Sequence, residues 1–293
     1  MTHTKAVALM ILCAGLWSMG GVVSRHFESA GGWEVTFWRS FFAALTVLVI
    51  GLARSGVQPL RELRRAPRMV WASGVLWAVM FTCFMLALSL TRVANVLITQ
   101  SLAPVVTALL AGVLLGQRVA PRTWAVIAVA ALGIASMYVF DVSELDGRHA
   151  LGVLVALGIP LAGGLNWVLL QRAGKGPDLS MAVLIGGTIS AALTLPLAWP
   201  WQASAHDLVL LAVLGVFQLG IPCMLVMHVA RHLSATETSL LALLEIVFGI
   251  ALTWAFGGEK PGIATLLGGS AVLGALAYHE WSRTRLQTSP QRG

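Results

Sequence analysis

Ten apolar stretches of about 20 residues follow one another with almost no charge inside them, and each is long enough to cross hydrocarbon as a helix. They fall near residues 6–24, 35–53, 69–91, 94–116, 121–140, 150–171, 179–199, 208–230, 236–257 and 262–282. Lipid offers no water to the backbone, so each crossing must close its hydrogen bonds within itself, as an α-helix. Composition agrees: 58% of the 293 residues are hydrophobic and 11% charged, against about 25% charged in soluble domains. The expectation is an all-α membrane protein of ten transmembrane helices, lying in a lipid bilayer, with no soluble domain. The third and fourth stretches meet at Arg92, which requires a tight hairpin there. Lys5 followed by AVALMILCAG has the polarity of a signal peptide, but the run continues to Val23 and nine more follow, so a retained first helix is expected.

The formal charge of +7 does not indicate a nucleic-acid partner, because the basic residues lie between apolar runs and form no stripe. They read as topology signals. With the N-terminus inside, one side receives Lys5, Arg54, Arg61, Arg64, Arg65, Arg68, Arg118, Arg122, Arg172, Lys175, Arg231, Arg283, Arg285 and Arg292. The other receives only Arg25, Arg92, Arg148 and Lys260, and Arg39 falls within a span. This asymmetry places both termini in the cytoplasm and supports an even number of crossings. Cys13, Cys83 and Cys223 each lie inside an apolar run without a partner at metal spacing, so they read as small packing residues.

The chain also carries an internal repeat. LAPVVTALLAGVLLGQ (102–117) matches LEIVFGIALTWAFGGE (244–259), pairing Leu102 with Leu244, Leu110 with Leu252 and Gly116 with Gly258. Each is followed by a turn holding Pro121 or Pro261 and then by a small-residue helix. A lesser match pairs GLWSMGGVVSR (15–25) with GLNWVLLQR (164–172). The repeat unit is five helices, an odd number, so the second copy must enter the membrane from the opposite side. Two inverted five-helix repeats, 1–148 and 149–293, are therefore expected, an arrangement that transporters use to exchange inward-open and outward-open shapes.

At these residues the sequence resembles the ten-helix exporters of the drug/metabolite transporter superfamily, the EamA type. That family's pattern has a Trp in the first helix, an Arg in the second and a repeated "P…GE" block in the fourth and ninth. Here these read Trp17, Arg39, Pro104 with Gly116-Gln117, and Glu245 with Gly258-Glu259. Gln117 and Ile246 depart from it, standing where an acid and a Pro are common. The resemblance implies two halves around a central cavity, a bacterial inner membrane and a small-molecule cargo. Amino acids, other metabolites and sugar nucleotides all occur as cargoes in the superfamily.

Polar groups in hydrocarbon are costly and mark function by default. Glu245 is the one carboxylate deep in a span. It reads either as a cavity-facing contact for a proton or a substrate ammonium, or as an acid paired to a neighbouring helix. Arg39 reads as an outer-mouth or structural charge: it could snorkel outward, clamp a helix terminus or bind a carboxylate. Arg92 is a second outer-mouth candidate. Trp17, Asn166 and Trp167 sit at matching depths of the first and sixth spans, and Asn95 and Thr99 share a helical face. Together with Glu245 these are the expected substrate-binding residues. Trp77 and Trp254 are also deep, whereas Trp33, Trp71, Trp199, Trp201 and Trp281 fall at span ends, where an interfacial belt forms. Gln100, Gln218 and His228 add polarity that interhelical hydrogen bonding would explain. Asp207 is expected as an N-cap.

No phosphate-binding loop, metal-ligand spacing or cofactor motif appears in the sequence. Ser270 and His279 share one helix out of phase, so they make no catalytic pair, and an enzyme is not expected. Met80, Phe81, Phe84 and Met85 in the third span, with Phe217, Met224 and Met227 in the eighth, suggest an aromatic, adaptable interior. The expected function is secondary export of small metabolites, amino acids first and aromatic or bulky hydrophobic ones favoured. A multidrug or other metabolite (sugar-nucleotide-like) carrier of the same fold is the alternative, and an intramembrane enzyme or a non-transporting membrane sensor is the alternative of another class. No feature of the sequence sets an oligomeric state.

Overall fold

The computed structural model describes residues 2–116, 147–173, 180–229 and 244–258, with isolated positions at 125–132 and 232–278. Among the described residues the chain is α-helical, with no strand. Six helical stretches are long and apolar enough to cross a membrane and two shorter ones are apolar. The expected fifth and tenth spans lie largely outside the described residues.

The first two spans form α1 (His3–Ser24) and α2 (Gly32–Ser55), as their unbroken apolar runs require. A short basic helix, α3 (Gln58–Arg65), leads into α4 (Arg68–Leu90). The tight hairpin expected at Arg92 is present: Thr91 and Arg92 are extended, and α5 (Val93–Gln100) starts at once. The fourth span is not one rod. Pro104 has no N–H to donate to the carbonyl four residues earlier, that of Gln100. The helix therefore breaks at Ser101–Leu102 and resumes as α6 (Ala103–Leu115). By contrast Pro160 is carried inside a continuous α7 (Gly147–Ala173).

After α8 (Ser180–Thr194) and a 3-10 turn, the eighth span runs as α9 (Ala205–Val213), a π-helical segment (Leu214–Gly220) and α10 (Ile221–Val229). The expected N-cap at Asp207 is corrected here. Ser204 is the N-cap, and Asp207 is the third residue of a capping box that Ser204 closes from outside the helix. The ninth span ends as α11 (Leu244–Phe256).

The matched segments of the repeat adopt matched conformations. α6 and α11 are each 13 residues long. The aligned glycines that follow them, Gly116 and Gly258, have φ of 66° and 67°, a left-handed cap that a side chain would strain.

Packing joins early helices to late ones. α4 lies between α7 and α8, α2 packs on α8 and the π segment, and α1 packs on α11, α10 and the π segment. α5 and α6 pack on α7, and α5 also touches α11. Small residues set these crossings, because helices in lipid associate by close backbone approach. A Cβ on Gly186 of α8 would lie 2.5 Å from the Trp77 Cβ and 3.0 Å from the Gly74 carbonyl oxygen. Hydroxyls join the same helices: the Ser190 Oγ sits 2.9 Å from both the Ser40 Oγ and the Thr82 Oγ1. The outward faces remain apolar and uncovered, as at Val113, 81% exposed, which suits a hydrocarbon environment. The Gly186→Val variant should overpack the α4–α8 crossing and lower stability by about 1–3 kcal/mol. Gly15→Ala, where a Cβ meets nothing within 4 Å, should leave the thermal unfolding midpoint of purified protein unchanged.

Candidate functional site

The site begins with a backbone irregularity. Pro222 cannot donate and crowds the carbonyl of Gln218, and the turn before it is π-helical, a distortion that recurs at functional sites. Gly215 lets this wide turn approach α2, since a Cβ there would collide with Phe42 and lie 2.9 Å from the Arg39 carbonyl oxygen. Gln218 is thereby held between α2 and α1. Its Oε1 accepts from the Arg39 Nε at 3.0 Å and Nη2 at 2.8 Å, and its Nε2 donates to the Trp17 carbonyl at 3.1 Å.

Arg39 does not snorkel. It is 2% exposed, and its guanidinium carbon lies 5.9 Å from the Phe81 ring centroid and 5.4 Å from that of Phe84. Five residues into a span its side chain would have to leave the bundle to reach the interface, and the Gln218 amide and two aromatic faces hold it inside instead. Among the described residues its Nη1 has no hydrogen-bond partner.

Glu245 lies within electrostatic reach of Arg39 and is buried, 8% exposed. It accepts from the Gln100 Nε2 at 3.1 Å. Gln100 stands at the end of α5, where the Pro104 break turns the chain. The Gln100 Oε1 is likewise buried without a partner among the described residues. Arg39 and Glu245 are therefore two buried ionisable groups, each hydrogen-bonded to a glutamine from a distant part of the chain.

The other expected residues divide. Trp17 is half-buried on α1 and supplies the carbonyl that anchors Gln218. Asn95 and Thr99 are buried on α5, with the Thr99 hydroxyl donating to the Asn95 carbonyl at 2.7 Å and the Asn95 Nδ2 to the Thr91 Oγ1 at 3.2 Å. Asn166 is buried and accepts from the Ser73 Oγ at 2.6 Å, tying α7 to α4. The side chains of Trp167, Met227 and His228 lie outside the described residues. Trp254 shares a face of α11 with exposed Val247, opposite Glu245 and Gly249, and is 58% exposed, so it faces away from the cluster. Phe217, expected in the interior, is exposed as well. Gln100 and Gln218 are the residues that sequence reasoning undervalued. The signal was their spacing, each four residues before a proline.

One end of the bundle carries two further features. Arg25, Arg92 and Arg148, three of the basic residues assigned to one side, line a cleft of about 460 Å³ with Gly257 and Gly258. There the α1–α2 loop and the chain between α8 and α9 are joined by two buried carboxylates. Asp207 accepts from the backbone N–H groups of Glu28, Ser29 and Ala30 at 2.8–3.0 Å. Glu34 accepts from those of Gln202 and Ala203 at 2.9–3.1 Å.

Apolar helices of membrane-crossing length packed around buried ionisable side chains define a multi-pass membrane protein. The chain belongs to the EamA-like transporter family, which it matches over residues 4–139 and 150–278. It is similar to the pseudopaline exporter CntI from two strains of Pseudomonas aeruginosa, 25% identical over 287 residues, covering 96% of this chain and 97% of the relative. A solved structure described only as the crystal structure of a protein superposes with a TM-score of 0.66 at 18% identity, covering 98% of this chain and 100% of that one; it shares the fold.

Replacing Gln218 with Leu should leave the Arg39 guanidinium unanswered and cost about 2–3 kcal/mol, the scale of a lost hydrogen bond to a buried charge. Gln218→Glu keeps an acceptor and should cost much less. Thermal unfolding of the purified variants checks the order.

Proposed function

We propose that this transporter exports small metabolites, amino acids first and aromatic or bulky hydrophobic ones favoured. It does so by alternating access at a central cavity between the halves 1–148 and 149–293. The observation that carries the reading is the buried Arg39–Gln218 and Glu245–Gln100 cluster. Each hydrogen-bonded pair takes one residue from each half, so relative movement of the halves remakes the site itself. Trp17, Asn95, Thr99, Asn166, Trp167 and Glu245 form the solute-facing set, and Arg39 its buried cation. Arg92 marks the outer mouth.

The inverted repeat is supported by three independent features. The two stretches matched to the family flank the division at 148. Gly116 and Gly258 close equal helices in the same left-handed conformation. The helix pairings also survive exchange of the halves: α1 with α11 answers α7 with α6, α2 with the π-interrupted helix answers α8 with α4, and α4 with α7 answers that helix with α1.

A carrier rather than an enzyme is the reading that the family favours. The basic-residue asymmetry supports cytoplasmic termini, and the bacterial relatives support an inner membrane. The relatives' export of pseudopaline favours a second cargo reading, a larger metabolite of that kind.

Efflux from cells or proteoliposomes loaded with a radiolabelled panel of amino acids and other metabolites decides between them. Aromatic amino acids should leave several-fold faster than from empty-vector controls. Rates indistinguishable from the control across the panel would defeat the reading.

A further inference from the structure

The charges of the central cluster are arranged to read a particular kind of solute. Resting on the amino-acid reading above, we propose that Arg39 binds the carboxylate and Glu245 the ammonium of a zwitterionic solute, with Gln218 as the positioning residue that aims Arg39.

The guanidinium is a planar fork whose edges each match a carboxylate or amide oxygen. Gln218 occupies the edge formed by Nε and Nη2. Nη1, on the far side, has no partner among the described residues, in a residue that is 2% exposed. A buried ionic donor left unanswered is costly, and an acceptor from a solute relieves that cost. Phe81 and Phe84 flank the guanidinium, so it cannot turn toward water and its direction is fixed.

The complementary acceptors stand nearby. The face of α11 that carries Glu245 packs at Gly249 against the Ser18 carbonyl, where an added Cβ would lie at 3.8 Å, beside the Trp17 carbonyl that holds Gln218. The Gln100 that donates to Glu245 leaves its own Oε1 buried and without a partner among the described residues. An ammonium has only donors, and both oxygens suit it.

Net charge selects further. A lone anion bound to Arg39 would strip Glu245 of its counter-charge, and a lone cation would do the same to Arg39. A zwitterion satisfies both groups and leaves the site's net charge unchanged in a medium where uncompensated charge is expensive. Sites built to hydrogen-bond a group reject analogues that lack it far more strongly than apolar pockets reject a missing methylene.

The test uses purified full-length protein and tritiated phenylalanine in a scintillation proximity assay. The competitors are unlabelled phenylalanine, phenylalaninamide (no carboxylate) and N-acetylphenylalanine (no ammonium). In the wild type each analogue should compete at least tenfold more weakly than phenylalanine. The R39K variant should lose about tenfold for phenylalanine yet hold phenylalaninamide unchanged, and E245Q should show the converse with N-acetylphenylalanine. The wild-type comparison stands even if a variant fails to fold. Equal competition by all three compounds would overturn the charge assignment while leaving amino-acid export intact. No phenylalanine binding, together with no amino-acid efflux, would remove both.

Discussion

A guanidinium inside a membrane protein must be answered there, and the placement of Arg39 follows from that requirement. Arg39 is 2% exposed, so a neighbouring chain segment has to supply an oxygen. Gln218 does so because Pro222 and the π-helical turn push this part of the eighth span against α2, while Gly215 removes the side chain that would block the approach. The Trp17 carbonyl then fixes the other end of the amide. Three helices are thus registered on one buried charge. Glu245 with Gln100 provides the electrostatic counterpart, at the point where Pro104 breaks the fourth span.

The same economy governs how the early and late parts of the chain meet. Their contact surfaces combine apolar side chains, such as Leu88 and Leu97 with Leu214 and Ile246, with close glycine crossings and hydrogen bonds: Ser73 with Asn166, Ser40 and Thr82 with Ser190, and the carboxylates Asp207 and Glu34 with backbone N–H groups. In lipid no hydrophobic gain holds one apolar helix against another. The fit of these surfaces and their hydrogen bonds therefore hold the early and late helices together.

The helices that can be read from sequence are those whose physics is local. Apolar length placed α1, α2, α4 and α7 closely, and the Arg92 hairpin followed from simple lack of room. The spacing of Leu102, Gly116, Leu244 and Gly258 exposed matching helices, because a left-handed cap tolerates little besides glycine. The breaks were harder. Pro104 interrupts its span while Pro160 does not, and the difference lies in what the neighbours can do for the freed carbonyl, which is tertiary information. The site showed the same limit. Glu245 and Arg39 stand out as charges in apolar runs, but the direction of each side chain depends on its partners. Arg39 faces inward because Gln218 is there, and Trp254 faces outward because Glu245, Gly249 and Thr253 take the buried side of α11. One-dimensional depth could not separate Trp17, whose backbone belongs to the site, from Trp254.

The central claim is that the halves move against each other, closing and opening the arginine-lined end. Cysteines introduced at Glu28 and His206, whose side chains approach to 3.8 Å, in a background lacking the three native cysteines, would lock that end when oxidised. Phenylalanine counterflow in proteoliposomes is the measurement. The account predicts that oxidation stops counterflow and that reductant restores it. Undiminished counterflow with the bridge fully formed would contradict it.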